Sequence, residues 1–320
     1  MGSILITGCA GFIGSNLSES LLKDYNKIVG VDNLSTGREC NIPRHKNFKF
    51  YKIDLTNKEA LDVIMKDNKI DVVLNLAGNA SIVNAMKNPA SDVANNILST
   101  MNVVDLCIEH KVDRLLHAST MVVYGESNVN KKEGDVCEPI STYGLTKYAG
   151  ERYVINAGNR TDMGFKLNVT AFRMFNVYGP KQDLDNPYQG VVAIFMGRVK
   201  SKKDIEIHGD GEQTRDFVYI DDVVDAWKKS INSKKTYGQV LNLGSGVEIS
   251  IKRIAEMVIE KTDGDLTFSP EIRYSTSRQG DIKRCLCNPK KLMSLLNWKP
   301  RTKFDIGLEK FIQSCRVAEK

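Results

Sequence analysis

No apolar run in this chain is long enough to cross a bilayer. The longest, such as Val72-Val73-Leu74 and Val191-Val192-Ala193-Ile194-Phe195, fall far short of the roughly 20 residues a spanning helix needs. The first residues lack the basic stretch and apolar segment of a secretory leader, so none is expected. Cysteine is sparse and unpatterned. Cys9, Cys40, Cys107, Cys137, Cys285, Cys287 and Cys315 make seven, an odd number without framework spacing. Cys285-Leu286-Cys287 is too tight for a zinc knuckle and has no histidine close by, which argues against a metal site. Seven reduced thiols in a cytoplasmic protein are therefore expected. The charge, formally +6, comes from lysines scattered among acidic residues. A nucleic-acid binder gathers them on one face with interleaved aromatics. Neither nucleic acid nor membrane is expected as a partner, and the mild excess suits an anionic small substrate. Repeats, low-complexity tracts and long linkers are also missing.

What is present fits an ordinary globular protein. A chain of 320 residues can form one large domain or two intimate ones with a sizeable core. Short apolar runs predict strands at Ile4–Thr7, Ile28–Asp32, Phe48–Ile53, Val72–Leu76, Arg114–Ala118 and Val169–Arg173. Helical spacing predicts Phe12–Lys23, Asn57–Lys66, Asp92–His110 and Tyr143–Ala157 between them. Repeated strand–helix units imply a doubly wound α/β parallel sheet of Rossmann type, covered on both faces. After Gly179-Pro180 the pattern loosens. Ile205–His208, the turn Gly209-Asp210-Gly211 and Asp216–Ile220 read as strand, turn, strand, and Asn242-Leu243-Gly244 as another strand end. Asp221-Asp222 is placed to cap a helix Val223–Ser230. A smaller C-terminal α/β lobe packed on the sheet is expected.

Between the first strand and helix lies Thr7-Gly8-Cys9-Ala10-Gly11-Phe12-Ile13-Gly14. Glycines there let backbone amides approach a pyrophosphate, and the helix N-terminus favours its charge. The spacing is G-x-x-G-x-x-G rather than the simplest dinucleotide fingerprint. Asp32 ends the second strand, where a carboxylate can accept from adenosine ribose hydroxyls and repel a 2′-phosphate. NAD is thus expected over NADP. Arg38 pulls the other way, because a nearby arginine could neutralise that phosphate.

Tyr143-Gly144-Leu145-Thr146-Lys147 puts Tyr143 and Lys147 one helical turn apart on one face. A tyrosine titrates near 10, so a role as base requires help. A neighbouring ammonium and a cationic nicotinamide ring both favour the phenolate. Reaching neutrality takes about three units, or about 4 kcal/mol. Ser119 and Thr120 end the strand before it, where open parallel sheets bind ligands and where a hydroxyl can share a reacting proton. A surface Tyr–Lys pair and hydroxyl caps are the plainer alternatives for these residues.

With these motifs in order, the sequence resembles the extended short-chain dehydrogenase/reductases, the NAD-dependent epimerase/dehydratase group. The resemblance spans nearly the whole chain. It includes Val31-Asp32-Asn33-Leu34-Ser35, Asn75-Leu76-Ala77-Gly78, Val123-Tyr124-Gly125, Arg173-Met174-Phe175-Asn176-Val177-Tyr178-Gly179-Pro180 and Arg278-Gln279-Gly280-Asp281. It implies Thr120, Tyr143 and Lys147 as catalytic residues. It implies NAD contacts from Gly8, Gly11, Phe12, Ile13, Gly14, Asp32, Asn33, Leu34, Ser35, Thr36, Gly37, Asp54, Leu55, Leu76, Ala77, Gly78, Asn95 and Phe175, with Tyr143 and Lys147. For the substrate it implies Asn176, Arg215 and Arg278 on a diphosphate, His208 beside a nucleobase, and Val192, Asp281, Cys285 and Thr120 completing the set. A strand-end histidine and a small buried cysteine remain the simpler readings of His208 and Cys285. The expected division is 1–173 plus 217–248 for NAD and 174–216 plus 249–320 for a nucleotide sugar. A homodimer is implied too, with Asp92–His110 and Tyr143–Ala157 pairing with their copies as a four-helix bundle.

Members that eliminate water resemble one another in an Asp-Glu pair directly after the catalytic threonine. Met121 and Val122 stand there, and neither moves a proton. Decarboxylating relatives have an acid before Val-Tyr-Gly, where Val122 stands again. Bare hydride chemistry remains, which fits 4-epimerisation of a UDP-sugar or simple oxidoreduction. Cys285 matches a position that is a tyrosine in some 4-epimerases and small in those that also accept N-acetylated sugars. UDP-N-acetylglucosamine/N-acetylgalactosamine beside UDP-glucose/galactose is the expected substrate, with UDP-glucuronate as an alternative. A non-catalytic NAD sensor is the rival from another class, and such proteins usually lose the Tyr–Lys pair.

Overall fold

The computed structural model describes residues 2–126, 129–162, 164–186, 188–262, 268–277 and 283–317. In chain order the first half contains β1 (Ser3–Thr7), α1 (Phe12–Leu21), β2 (Ile28–Asp32), β3 (Phe48–Lys52), α2 (Lys58–Asn68), β4 (Ile70–Asn75), α3 (Ile82–Lys87), α4 (Pro89–Val93), α5 (Ser99–Glu109), β5 (Arg114–Thr120), α6 (Thr142–Asn159) and β6 (Asn168–Met174). The second half adds β7 (Asn176–Tyr178), α7 (Val191–Lys200), β8 (Ile205–His208), β9 (Thr214–Tyr219), α8 (Ile220–Ile231), β10 (Gln239–Leu243), β11 (Glu248–Ser250), α9 (Ile251–Thr262), β12 (Ile272–Ser275), β13 (Arg284–Cys285), α10 (Lys290–Leu296) and α11 (Phe304–Val317).

The main sheet runs β3-β2-β1-β4-β5-β6-β10, with every neighbouring pair parallel. This is the Rossmann-type α/β sheet, doubly wound about β1 and β4. Strand order reverses between those two strands, which opens a crevice at their carboxyl ends. The sheet is apolar on both faces. Ile4 and Ile6 join a core with Leu17, Phe172 and Trp227, while Leu5 joins Leu61, Val103 and Val154 on the other side. That double burial explains why the strands read as short unbroken apolar runs. Fully burying each large side chain contributes about 1.5–3 kcal/mol.

The segment 217–248 divides. Its first residues finish β9, which pairs with β7, β11 and β13 in a smaller sheet, and β10 then returns to the edge of the main one. β8 and β12 form a separate parallel pair.

Several boundaries differ from the sequence reading. The first helix ends at Leu21 rather than Lys23. Asp92–His110 is three pieces: α4, a π-helical turn at Ala94–Leu98, and α5. Asp221 and Asp222 are not caps but first-turn residues of α8. The Asp222 carboxylate accepts instead from the amides of Arg301 and Thr302, at 3.0 Å each, and ties down the C-terminal segment. α6 begins where Ser141 Oγ accepts from the Gly144 amide at 3.1 Å, so Tyr143 lies in its first turn. All seven cysteines are free thiols. Among the described residues no helix is long and apolar enough to cross a membrane, and no cluster fit to hold a metal is found.

Candidate active site

An open groove follows the carboxyl ends of β1, β2 and β4. Its floor is the glycine turn. A Cβ on Gly14 would lie 2.1 Å from the Gly8 carbonyl oxygen, and one on Gly8, where φ is +67°, would lie 2.9 Å from the Ala77 amide nitrogen. Only glycine permits both approaches. Gly11 precedes α1 and no side chain caps that helix, so its first amides stay available to an anion.

Asp32 is nearly buried at the groove wall. Its Oδ2 accepts from Ala10 (3.0 Å) and its Oδ1 from Leu34 (2.8 Å). Leu34 adopts φ +61°, which turns Asn33, Ser35, Thr36 and Gly37 along the rim. Asn33 Nδ2 donates to Asp54 Oδ2 at 2.8 Å. Thr7 Oγ1 accepts from the amides of Leu76 and Ala77, both at 3.0 Å, and holds the loop after β4. Arg38, which could have neutralised a 2′-phosphate, is engaged instead by Asp183 (2.9 Å) and Asp185 (3.2 Å).

Gly8, Gly11, Asp32 through Gly37 apart from Leu34, Asp54, Leu55, Leu76, Ala77, Gly78 and Asn95 all line this groove. Phe12, Ile13 and Gly14 lie behind it in the start of α1. Asn79, which the resemblance included in a stretch from Leu76 to Ala80, lines it too, while Val31, Ile53 and Ser99 line it without having been singled out as contacts. Ser99 had a signal, since it follows Asn95 by one helical turn. The groove has polar residues at its rim and glycine at its floor, a lining suited to a dinucleotide diphosphate.

At the end of β5, the Thr120 side chain stands beside the Tyr143 hydroxyl. Both are buried. Burial pushes the Tyr143 hydroxyl up to about 12, against the lowering effect of the nearby Thr120. The ammonium expected to favour its phenolate points elsewhere: Lys147 Nζ donates to the Ala118 carbonyl at 2.6 Å. Burial brings Lys147 down to about 8, with Asp92 and Glu151 acting against it.

Met121 bridges two apolar clusters, one with Tyr143 and Val122, the other with Phe175 and Cys285. Cys285 Sγ lies 3.1 Å from Met121 Sδ and opposite Arg215 in register. Arg215 Nη1 donates to the Thr214 carbonyl at 2.8 Å. Asn176 Nδ2 donates to the Asp216 carbonyl at 2.8 Å. His208 ends β8 with Nδ1 2.9 Å from Ser275 Oγ. Val192 is buried in the main core on α7. Arg278 and Asp281 lie outside the described residues.

Residues 4–244 match the model of the NAD dependent epimerase/dehydratase family. The chain belongs to that family. A putative UDP-glucose 4-epimerase from Methanocaldococcus jannaschii is 33% identical, covering 97% of each chain. A UDP-glucuronate 4-epimerase from Thermodesulfobacterium geofontis is also 33% identical, over 98% of this chain and 95% of the relative. Among solved structures, the UDP-N-acetylglucosamine 4-epimerase of Methanobrevibacter ruminantium M1, in complex with UDP-N-acetylmuramic acid, superposes with a TM-score of 0.90 at 31% identity. It covers 100% of this chain and 99% of that one. As a member of this family the chain uses NAD, which the glycine floor and Asp32 accommodate.

Proposed function

We propose that this family member interconverts C4 epimers of a UDP-linked sugar. The carrying observation is the buried neighbours Thr120 and Tyr143 at the end of β5, with Lys147 one turn along and with Met121 and Val122 where elimination requires acids. Bound NAD supplies the hydride acceptor, and later the donor, for C4. Tyr143 takes the proton of the 4-hydroxyl and returns it to the oxygen of the new epimer. Thr120 bonds the same oxygen. Lys147, one turn along the helix, keeps its ammonium at the Ala118 carbonyl, where the substrate-bearing end of β5 begins. Asn176, Arg215 and Arg278 hold the diphosphate while the oxidised sugar turns its other face.

For the sugar, N-acetylhexosamine beside hexose is the favoured reading. Cys285 is small and buried, and the neighbouring Met121 thioether is flexible enough to yield space. The relative acting on UDP-glucuronate supports a second reading, because the diphosphate residues do not read C6. Leu98 and Leu145 remain exposed on the helices expected to pair in a homodimer, which supports that assembly.

The deciding experiment incubates purified protein with a panel of nucleotide sugars and reads C4 configuration by NMR. Epimerisation without net change in cofactor redox state is expected, abolished in Tyr143→Phe. Full turnover in that variant refutes the reading. Cys285→Tyr should remove activity on the N-acetylated sugar selectively, and equal loss on both sugars refutes the gate.

A further inference from the structure

Two fully buried carboxylates belong to or pack against the helix that carries Tyr143 and Lys147, Glu151 on the helix itself and Asp92 from α4. Glu151 is met in contact. Arg173 grips it through Nε (2.9 Å) and Nη2 (2.6 Å), and Ser119 Oγ donates to it at 2.6 Å. Asp92, on α4, differs. Its Oδ2 accepts from Thr146 Oγ1 at 2.5 Å, and its Oδ1 has no hydrogen-bond partner. Among the described residues it forms no ion pair. Thr146 sits in the turn between Tyr143 and Lys147, and its hydroxyl also receives Asn96 Nδ2 at 3.1 Å. A buried carboxylate without any cation is costly enough that proteins rarely keep one. Of the two buried cations here, Arg173 is committed to Glu151.

We infer that Asp92 is the charge partner of Lys147 across Thr146, a positioning residue for the face of α6 that carries Tyr143 and Lys147. This rests on the catalytic reading of Tyr143 and Lys147 given above. The electrostatics agree. Burial lowers Lys147, and Asp92 is the larger of two anionic influences raising it again, ahead of Glu151. Asp92 also adds to the burial that raises Tyr143. The other neighbours leave the pairing intact. From β5, His117 is buried and held neutral, first by burial and then by Lys147. From α3, Lys87 turns toward Tyr188, with Nζ 3.4 Å from its hydroxyl. Asn95 and Asn96 in the π-helical turn carry no charge, and β6 offers only Arg173.

The test is the pH profile of kcat/KM for the holoenzyme. Asp92→Asn keeps the shape and the acceptor for Thr146 but removes the charge. Both limbs should then move to lower pH by about one unit, since losing a nearby negative charge eases proton loss from Tyr143 and Lys147 alike. Thr146→Val keeps the charge and should change the height of the profile without moving its limbs. A merely structural role for Asp92 gives the same outcome as Thr146→Val. Limbs that stay in place in Asp92→Asn overturn the inference, as does movement of the basic limb alone. A second measurement does not use activity. Lys147→Met strands Asp92 as a lone buried anion, so adding Asp92→Asn to it should recover stability in urea, and no recovery overturns the pairing. Turnover retained in Tyr143→Phe sinks the catalytic reading. An inactive Tyr143→Phe combined with unmoved limbs in Asp92→Asn sinks this inference alone.

Discussion

Gly14→Ala is the sharpest probe of the cofactor turn. The added Cβ would stand 2.1 Å from the Gly8 carbonyl oxygen, 2.8 Å from its carbon and 3.0 Å from Cys9 Cα. A comfortable carbon–oxygen contact is roughly 3.3–3.6 Å, so the turn and α1 must separate by more than about 1 Å. All three opposing atoms are backbone, and the Gly8 oxygen already accepts from the Gly11 amide at 3.1 Å. No side chain can move aside. Overpacking of this kind costs about 1–3 kcal/mol of stability. The displaced amides should weaken NAD binding at least tenfold, about 1.4 kcal/mol. Gly11→Ala is the internal control. Its Cβ would meet that same oxygen at 3.2 Å, a gap closed by a few tenths of an ångström, so a loss under about 1 kcal/mol is expected. The assay is NAD released on denaturation per protomer, with urea unfolding in parallel. Parental occupancy and stability in Gly14→Ala would refute the argument that this approach requires glycine.

Arg173→Met leaves Glu151 buried without its cation and should cost about 3–5 kcal/mol in urea unfolding. Adding Glu151→Leu should return part of that loss; no return would mean the pair is not coupled. Arg38→Ala should leave the preference of reconstituted apoenzyme for NAD over NADP unchanged, because its guanidinium is engaged by Asp183 and Asp185. A shift in that preference would show that Arg38 reads the ribose side after all.

The parts of the fold legible in the sequence are those where local rules and tertiary context agree. Buried strands such as Ile28–Asp32 carry apolar runs because both faces of the sheet are covered, and Gly8, Gly11 and Gly14 announce a turn no other residue fits. In the groove, the glycine turn and Asp32 follow from strand ends, and most of the rest of the lining was implied by the family resemblance. The remainder depends on long-range partners. Asp222 looks like a cap until the amides of Arg301 and Thr302, some eighty residues away in sequence, are seen to hold it. The π-helical turn at Ala94–Leu98 breaks a helical pattern without proline or glycine. β11, β12 and β13 span two to four residues, too short to show periodicity. Met121 was noticed for what it cannot do chemically, and its packing against Cys285 was not visible.

The same contrast governs the chemistry of Tyr143. Helical spacing suggests that Lys147 eases its ionisation, yet the ammonium is spent on the Ala118 carbonyl and burial carries the phenol to about 12. Neutral pH lies about five units below, a deficit of about 7 kcal/mol. One cation brought to about 4 Å in surroundings of effective dielectric about 20 contributes about 4 kcal/mol, or three of those units. The phenol therefore stays mostly protonated at neutrality even beside a bound positive charge, and its proton leaves as the sugar is oxidised rather than beforehand. The expected consequence is a kcat/KM that climbs with pH through neutrality and falls above about 8, where Lys147 loses its proton. Steady-state rates across that range decide the matter. A flat profile through neutrality would mean that Tyr143 is already ionised in the resting holoenzyme, and the burial argument would fail with it.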